Sequence, residues 1–458
     1  MIDYKVVQIS TLDDYDLVLK ELVHILPNAN HKFLIDELKS RIALQCHSII
    51  IEYPYRDFEF SSVYSLFYSK KHQKISKECV RLHFFDSSEF EQKSYIGNFV
   101  VRDSKIDSRG KGIFKPKVIA SSTNGYIVTA KYKSHIMGES FEIETYPWMA
   151  QDTDIAVCAH VAVWSVNNYF ANKYPNYQLK SVGAISEIVP EYMGRKTPSD
   201  GLNLLQVSEM FSKLGFYPLV LSKNNSNDTG FFQAVYSYME SGIPMVGAMT
   251  KKAHAVALIG HGKIDTEALS LSSQSYINIA DYLTEIVIAD DNDMPFTMIA
   301  KQDGKYSFED LDYVIIPLYE KMYINANIVN ARAKAIVESK VLSLDDKVVA
   351  RIYLTSARSF KKEALKNRSM NSYLKSILLR LHTPQFIWCV DLSSIDGYID
   401  SKISARIVLD ATAGTYEDEP WLLMHDGDTI YWKDNDQIYT KKEPIVQYEI
   451  YKNNLKEM

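Results

Sequence analysis

The stretch Gln151-Asp-Thr-Asp-Ile-Ala-Val-Cys158-Ala-His160 runs on through Val-Ala-Val-Trp-Ser-Val-Asn-Asn-Tyr to Phe170. From Ile155 to Phe170 it is apolar nearly all round, the pattern of a helix enclosed by a core. A polar loop leads straight into that helix, which puts Cys158 in or near the first turn. A thiol there meets unpaired backbone N–H groups and the positive helix end, both of which favour thiolate. The competing reading is a buried small hydrophobe, a common fate of unpaired cysteine. Position alone does not separate the two.

Working outward, helical patterns follow at 180–189, 203–214 and 230–241, and Gly242-Ile-Pro244 ends the last of them. Strand patterns come next, at 245–250, 253–259, 284–289 and 312–319. Helices first and strands afterwards point to an α+β fold rather than an alternating βαβ sheet. The serine-rich stretch 262–283 reads as a surface insertion. Before this middle region, 146–320, lies an N-terminal α+β region, 1–145. It has an amphipathic helix after Thr11 and strands at Ser48–Tyr53, Arg81–Phe85, Tyr95–Arg102, Gly125–Tyr132 and Ser140–Thr145. After it, 321–458 carries a helical pattern from Tyr319 to Ser343, then strands at Phe386–Asp391, Ala405–Asp410 and Thr429–Trp432. This C-terminal region is expected to pack with the first around the middle one.

Composition limits the classes. The 458 residues are 46% hydrophobic and 24% charged, too apolar for a disordered chain and long enough for a large core. The N-terminus lacks the pattern of a signal peptide, and no run of about 18 apolar residues suits a membrane span. A cytoplasmic location without membrane attachment is expected. The net charge of −6 argues against general nucleic-acid binding. Residues 351–380 hold eight cations against Glu363 alone, whereas 391–428 hold nine acids against Lys402 and Arg406. Two complementary faces of one region explain this; a basic patch for a partner is the sharper alternative. Cys46, Cys79, Cys158 and Cys389 are scattered, with no C-x-x-C, so neither a disulfide framework nor a cysteine zinc ribbon is expected.

Two further segments bear on Cys158. Ala253-His-Ala-Val-Ala-Leu-Ile-Gly260 starts an apolar strand with His254, which can present a rigidly held ring at a sheet edge. Ile288-Ala-Asp-Asp291 ends a later strand in carboxylates, placed to receive the second imidazole N–H. His160 is two residues from Cys158 on the helix and points elsewhere. His261 lies seven residues beyond His254, an odd separation that puts the two on opposite strand faces. No metal-ligand spacing, phosphate loop, dinucleotide fingerprint or serine-hydrolase elbow occurs, so no cofactor or metal is expected.

The order of Cys158, a strand histidine and a strand-end aspartate resembles the papain-like cysteine peptidase superfamily, most nearly the bacteriocin-processing, double-glycine-leader cysteine peptidases. A larger uncharacterised bacterial intracellular protein with such a core between two extra regions has a similar layout. The resemblance covers about the middle third. It implies a central helix packed on an antiparallel sheet, with Cys158 as nucleophile, His254 as base and Asp290 as its orienter. Gln151 and the Cys158 backbone N–H would form the oxyanion hole, and Asp291 is the fallback orienter. Gln151 stands seven residues before Cys158 where the family has six, and Asp152 occupies the usual spacing. Asp152 and Asp154 would stabilise the helix start. The implied substrate is a protein or peptide, with a regulatory partner as a further expectation. Acyl transfer on the same core, and an inactive scaffold working through 351–380, are the rival readings.

Overall fold

The computed structural model describes residues 3–72, 74–122, 124–152, 155, 157–189, 199, 201–225, 228–302, 304–414, 416–417, 419–434 and 437–458; Asp154 lies outside them. The fold is α+β, with three large sheets that are antiparallel at all but one strand pairing.

The middle sheet carries the chemistry-bearing strands. Its order is Tyr217–Ser222, Tyr313–Leu318, Met245–Met249, His254–Gly262, Glu285–Ala289, Thr297–Ala300. The apolar segment after the 151–157 loop forms the helix Cys158–Lys173, and Ala159 through Phe170 are all buried. This helix packs on the two strands around Met245–Gly262. Burial on every side explains why its sequence shows no polar stripe.

The sheets exchange strands. Trp148–Met149 completes the N-terminal sheet beside Arg109–Phe114. Gly125–Val128 pairs with the far end of His254–Gly262, and Leu455–Glu457 pairs with Gly125–Val128. The pattern expected as one strand over Gly125–Tyr132 is therefore two, divided at Thr129, with Ala130–Ile136 in a separate hairpin. Gly260 sits at a register shift where a Cβ would come within 2.0 Å of the Tyr126 carbonyl, so only glycine admits the extra strand.

The stretch 262–283 lies at the surface only in its first part, where most of 263–275 is exposed. Tyr276–Asn278 joins the C-terminal sheet parallel to Val348–Ala350, and residues 276–280 are buried. Serines conceal this in the sequence because the short buried run Tyr276-Ile-Asn-Ile-Ala280 lies behind them. The helical pattern over 319–343 is realised as Ala326–Glu338. The charge runs meet in one place. Arg351 and Asp391 face each other on neighbouring strands, 3.1 Å apart, and Arg406 Nε donates to Asp391 at 2.6 Å. Glu240 binds Arg351 and also takes His261 Nε2 at 2.8 Å. These buried charges persist because each is paired. Much of the basic run otherwise lies on the helices Ala357–Lys366 and Ser372–Arg380.

Among the described residues no helix is long and apolar enough to cross a membrane.

Candidate active site

Three element ends converge. Cys158 is the first residue of the central helix, after Val157 in extended conformation. His254 is the first residue of its strand, preceded by Ala253 at φ 48° and ψ 43°. A left-handed alanine is costly, and such strain gathers where surrounding structure fixes a side chain. Asp290 follows directly on the strand Glu285–Ala289.

His254 Nε2 donates to Asp290 Oδ1 at 2.8 Å, and Asp291 Oδ1 lies 3.7 Å away. The thiol of Cys158 also bonds the ring and favours its charged form. Burial opposes charge on the ring. The hydrogen bonds to Asp290 and Cys158 and the negative charge of Asp290 oppose this and push the ring's pKa up to about 10. The same hydrogen bond and charge outweigh burial at Asp290 and hold its carboxyl below the usual range. Asp290 and Asp291 are almost wholly buried, at 1% and 4% exposure.

Cys158 is also the exception among the four unpaired cysteines. It is half-buried, while Cys46, Cys79 and Cys389 are buried. Burial pushes the Cys46 and Cys389 thiols up to about 12 and that of Cys79 further.

Gln151 reaches the acidic strand end: its Nε2 donates to Asn292 Oδ1 at 2.9 Å. Asn292 in turn donates its backbone N–H to Asp290 Oδ1 at 3.1 Å. One amide hydrogen of Gln151 is thus engaged. Asp152, at the alternative spacing, accepts from the Tyr68 hydroxyl at 2.6 Å and lies 3.7 Å from Arg102. It is tied into the N-terminal region.

His160 is buried, which pushes it down to about 4, and among the described residues its Nδ1 has no hydrogen-bond partner. His261 is separated from His254 by the length of the strand. The register shift between Leu258 and Gly260 removes the parity argument about their faces; distance and the Glu240 contact keep His261 out of the site.

Several residues around the site escaped the sequence reading. Tyr306 stacks on the His254 ring with centroids 5.0 Å apart and planes at 21°, covering it from water. Lys305 bridges to Asp293 at 2.8 Å and lies 4.0 Å from Asp290 Oδ2. The N-terminal region grips the segment after Asp290. Trp148 Nε1 donates to the Asp290 carbonyl, and Arg109 Nη1 donates to that of Asn292 at 3.1 Å. Glu37 accepts from the Met294 N–H at 3.1 Å, and Arg41 donates to the Pro295 carbonyl at 2.9 Å. Arg109 itself pairs with Glu37 at 2.7 Å and Asp107 at 2.8 Å. These are contacts across 142 to 257 residues of sequence, with no local pattern to reveal them.

His254, Asp290 and Asp291 are also the group of described residues whose ligand-type atoms cluster most like a cation site, all within 4.8 Å. Comparison of the chain with protein-family models, with curated proteins and with solved structures returns no match.

Proposed function

We propose that the chain is a cysteine peptidase with a papain-like core, cleaving a peptide or isopeptide bond through a thioester on Cys158. The observation that carries this reading is the His254 ring set between the Cys158 thiol and the Asp290 carboxylate. The Cys158 thiolate attacks the scissile carbonyl carbon, forming a C–S bond and an oxyanion. The backbone N–H of Cys158 and the second amide hydrogen of Gln151 receive that oxyanion. His254 gives its proton to the leaving nitrogen as the C–N bond breaks. Water then attacks the thioester, His254 takes its proton, and the acid product leaves with the thiol regenerated. Asp290 holds the ring and supports its charge; Tyr306 keeps bulk water off the pair. The N-terminal region fixes Asp290 and Gln151 relative to each other. Four unpaired thiols suit a reducing compartment such as the cytoplasm.

The test is incubation of the full chain with a peptide mixture in ¹⁸O water, with and without an added primary amine. New carboxyl termini carrying ¹⁸O, absent with Cys158→Ala, are expected. Amine-capped products would reassign the site to acyl transfer. No Cys158-dependent product in either arm would leave a scaffold as the better reading.

A further inference from the structure

Asp290 and Asp291 pose an electrostatic problem that the triad does not resolve. Asp290 Oδ2 and both oxygens of Asp291 are buried, and among the described residues none has a hydrogen-bond donor. Buried carboxylate oxygens without donors are strongly disfavoured. His254 offers its Nε2 proton to Asp290 Oδ1, and Asp291 Oδ1 is 3.7 Å from the same nitrogen, beyond hydrogen-bond reach. Lys305 Nζ is 4.0 Å from Asp290 Oδ2 and is committed to Asp293 at 2.8 Å. Arg109 and Glu37, from the N-terminal side, engage the backbone of Asn292 and Met294. Tyr306 contributes a ring face to His254.

A positive centre between the two carboxyl groups, a proton or a metal ion, would relieve this. Geometry decides between them. His254 Nε2 and Asp290 Oδ1 are 2.8 Å apart, a hydrogen-bond spacing. Two ligands of one tetrahedral zinc at about 2.0–2.1 Å each would stand roughly 3.3 Å apart. The present spacing holds a proton, not two arms of one ion.

We propose that Asp291 is kept as a neutral carboxylic acid that donates its proton to Asp290, so that the pair presents a single negative charge to His254. Asp291 is then a positioning residue. It touches neither substrate nor thiol; it supplies the donor that Asp290 Oδ2 lacks and keeps Oδ1 aimed at the imidazole. Burial and then the charge of Asp290 push the Asp291 carboxyl well above its usual range, in the same direction. A second ionised aspartate would bind the ring more tightly in its protonated form and slow release of its proton. This rests on the peptidase reading for its consequence, although the shared proton itself does not.

The test has two arms. Infrared difference spectra of the full chain against Asp291→Asn at neutral pH should show a protonated-carboxyl C=O band in the wild type that the variant lacks. Cys158 alkylation by iodoacetamide should fall by about tenfold or more in Asp291→Ala, which removes the donor to a charged group. Asp291→Asn, whose amide N–H can donate in place of the acid, should restore it to within about threefold of wild type. Absence of the carboxyl band would overturn the proposal. So would stoichiometric calorimetric binding of zinc that Asp291→Asn abolishes, or equal loss of alkylation in the alanine and asparagine variants. A band with no selective alkylation of Cys158 in any form would instead defeat the peptidase reading and leave the shared proton standing.

Discussion

Replacing His254 by alanine should lower peptide turnover by about 10²–10⁴-fold at neutral pH, with a comparable drop in the alkylation rate of Cys158. Two losses combine. The thiolate forfeits the imidazolium that stabilises it, and the leaving nitrogen forfeits its proton donor. The fold should survive, because His254 opens its strand instead of occupying the core, and the backbone pairing of 254–262 continues without the ring. A circular dichroism spectrum matching wild type would establish that. The alanine variant leaves Asp290 without its cation, so a modest fall in stability is expected as well. Measured kinetics separate the effects: both turnover and thiol reactivity fall at temperatures where the variant remains folded.

The second large effect lies outside the core that the motifs define. Arg109→Ala should destabilise the chain by about 3–5 kcal/mol, since it strands the largely buried carboxylates of Glu37 and Asp107. It also removes the donor to the Asn292 carbonyl, and with it part of the grip on the segment that carries Asp290 and the anchor of Gln151. Cys158 alkylation below the melting range should slow by about tenfold, as misplacement of catalytic groups is costly even when the groups are intact. Arg380→Ala is the matching control. Among the described residues its guanidinium bonds only to Ser376 on its own helix, so stability should change by less than about 0.5 kcal/mol and alkylation not at all. Denaturant midpoints and alkylation rates on the same samples check both statements.

The parts of this site that could be read in advance are those whose chemistry sits at element ends. A thiol after a polar loop, a histidine opening an apolar strand and a carboxylate closing another each leave a local trace, because the hydrophobic period switches there. Cys158, His254 and Asp290 are brought together in the fold, and Gln151 comes to Asn292. The α+β class followed from the order of helical and strand patterns. The supporting residues left no such trace. Trp148, Arg109, Glu37 and Arg41 act through backbone groups more than 140 residues away, and Tyr306 through a stacked ring on a loop. Strand exchange among the sheets was hidden for a related reason. A two- or three-residue edge strand such as Trp148–Met149 or Tyr276–Asn278 is too short to show a period. The buried end of 262–283 left no signal because serine content reports on turns and says nothing of a buried run behind them.

Peptide-mapped mass spectrometry after brief treatment of the native full chain with a peptidyl electrophile tests the central claim most directly. The expected result is one adduct, on Cys158, whose formation His254→Ala suppresses. Equal modification of Cys46, Cys79 and Cys389, or an unmodified Cys158 in the folded protein, would contradict it.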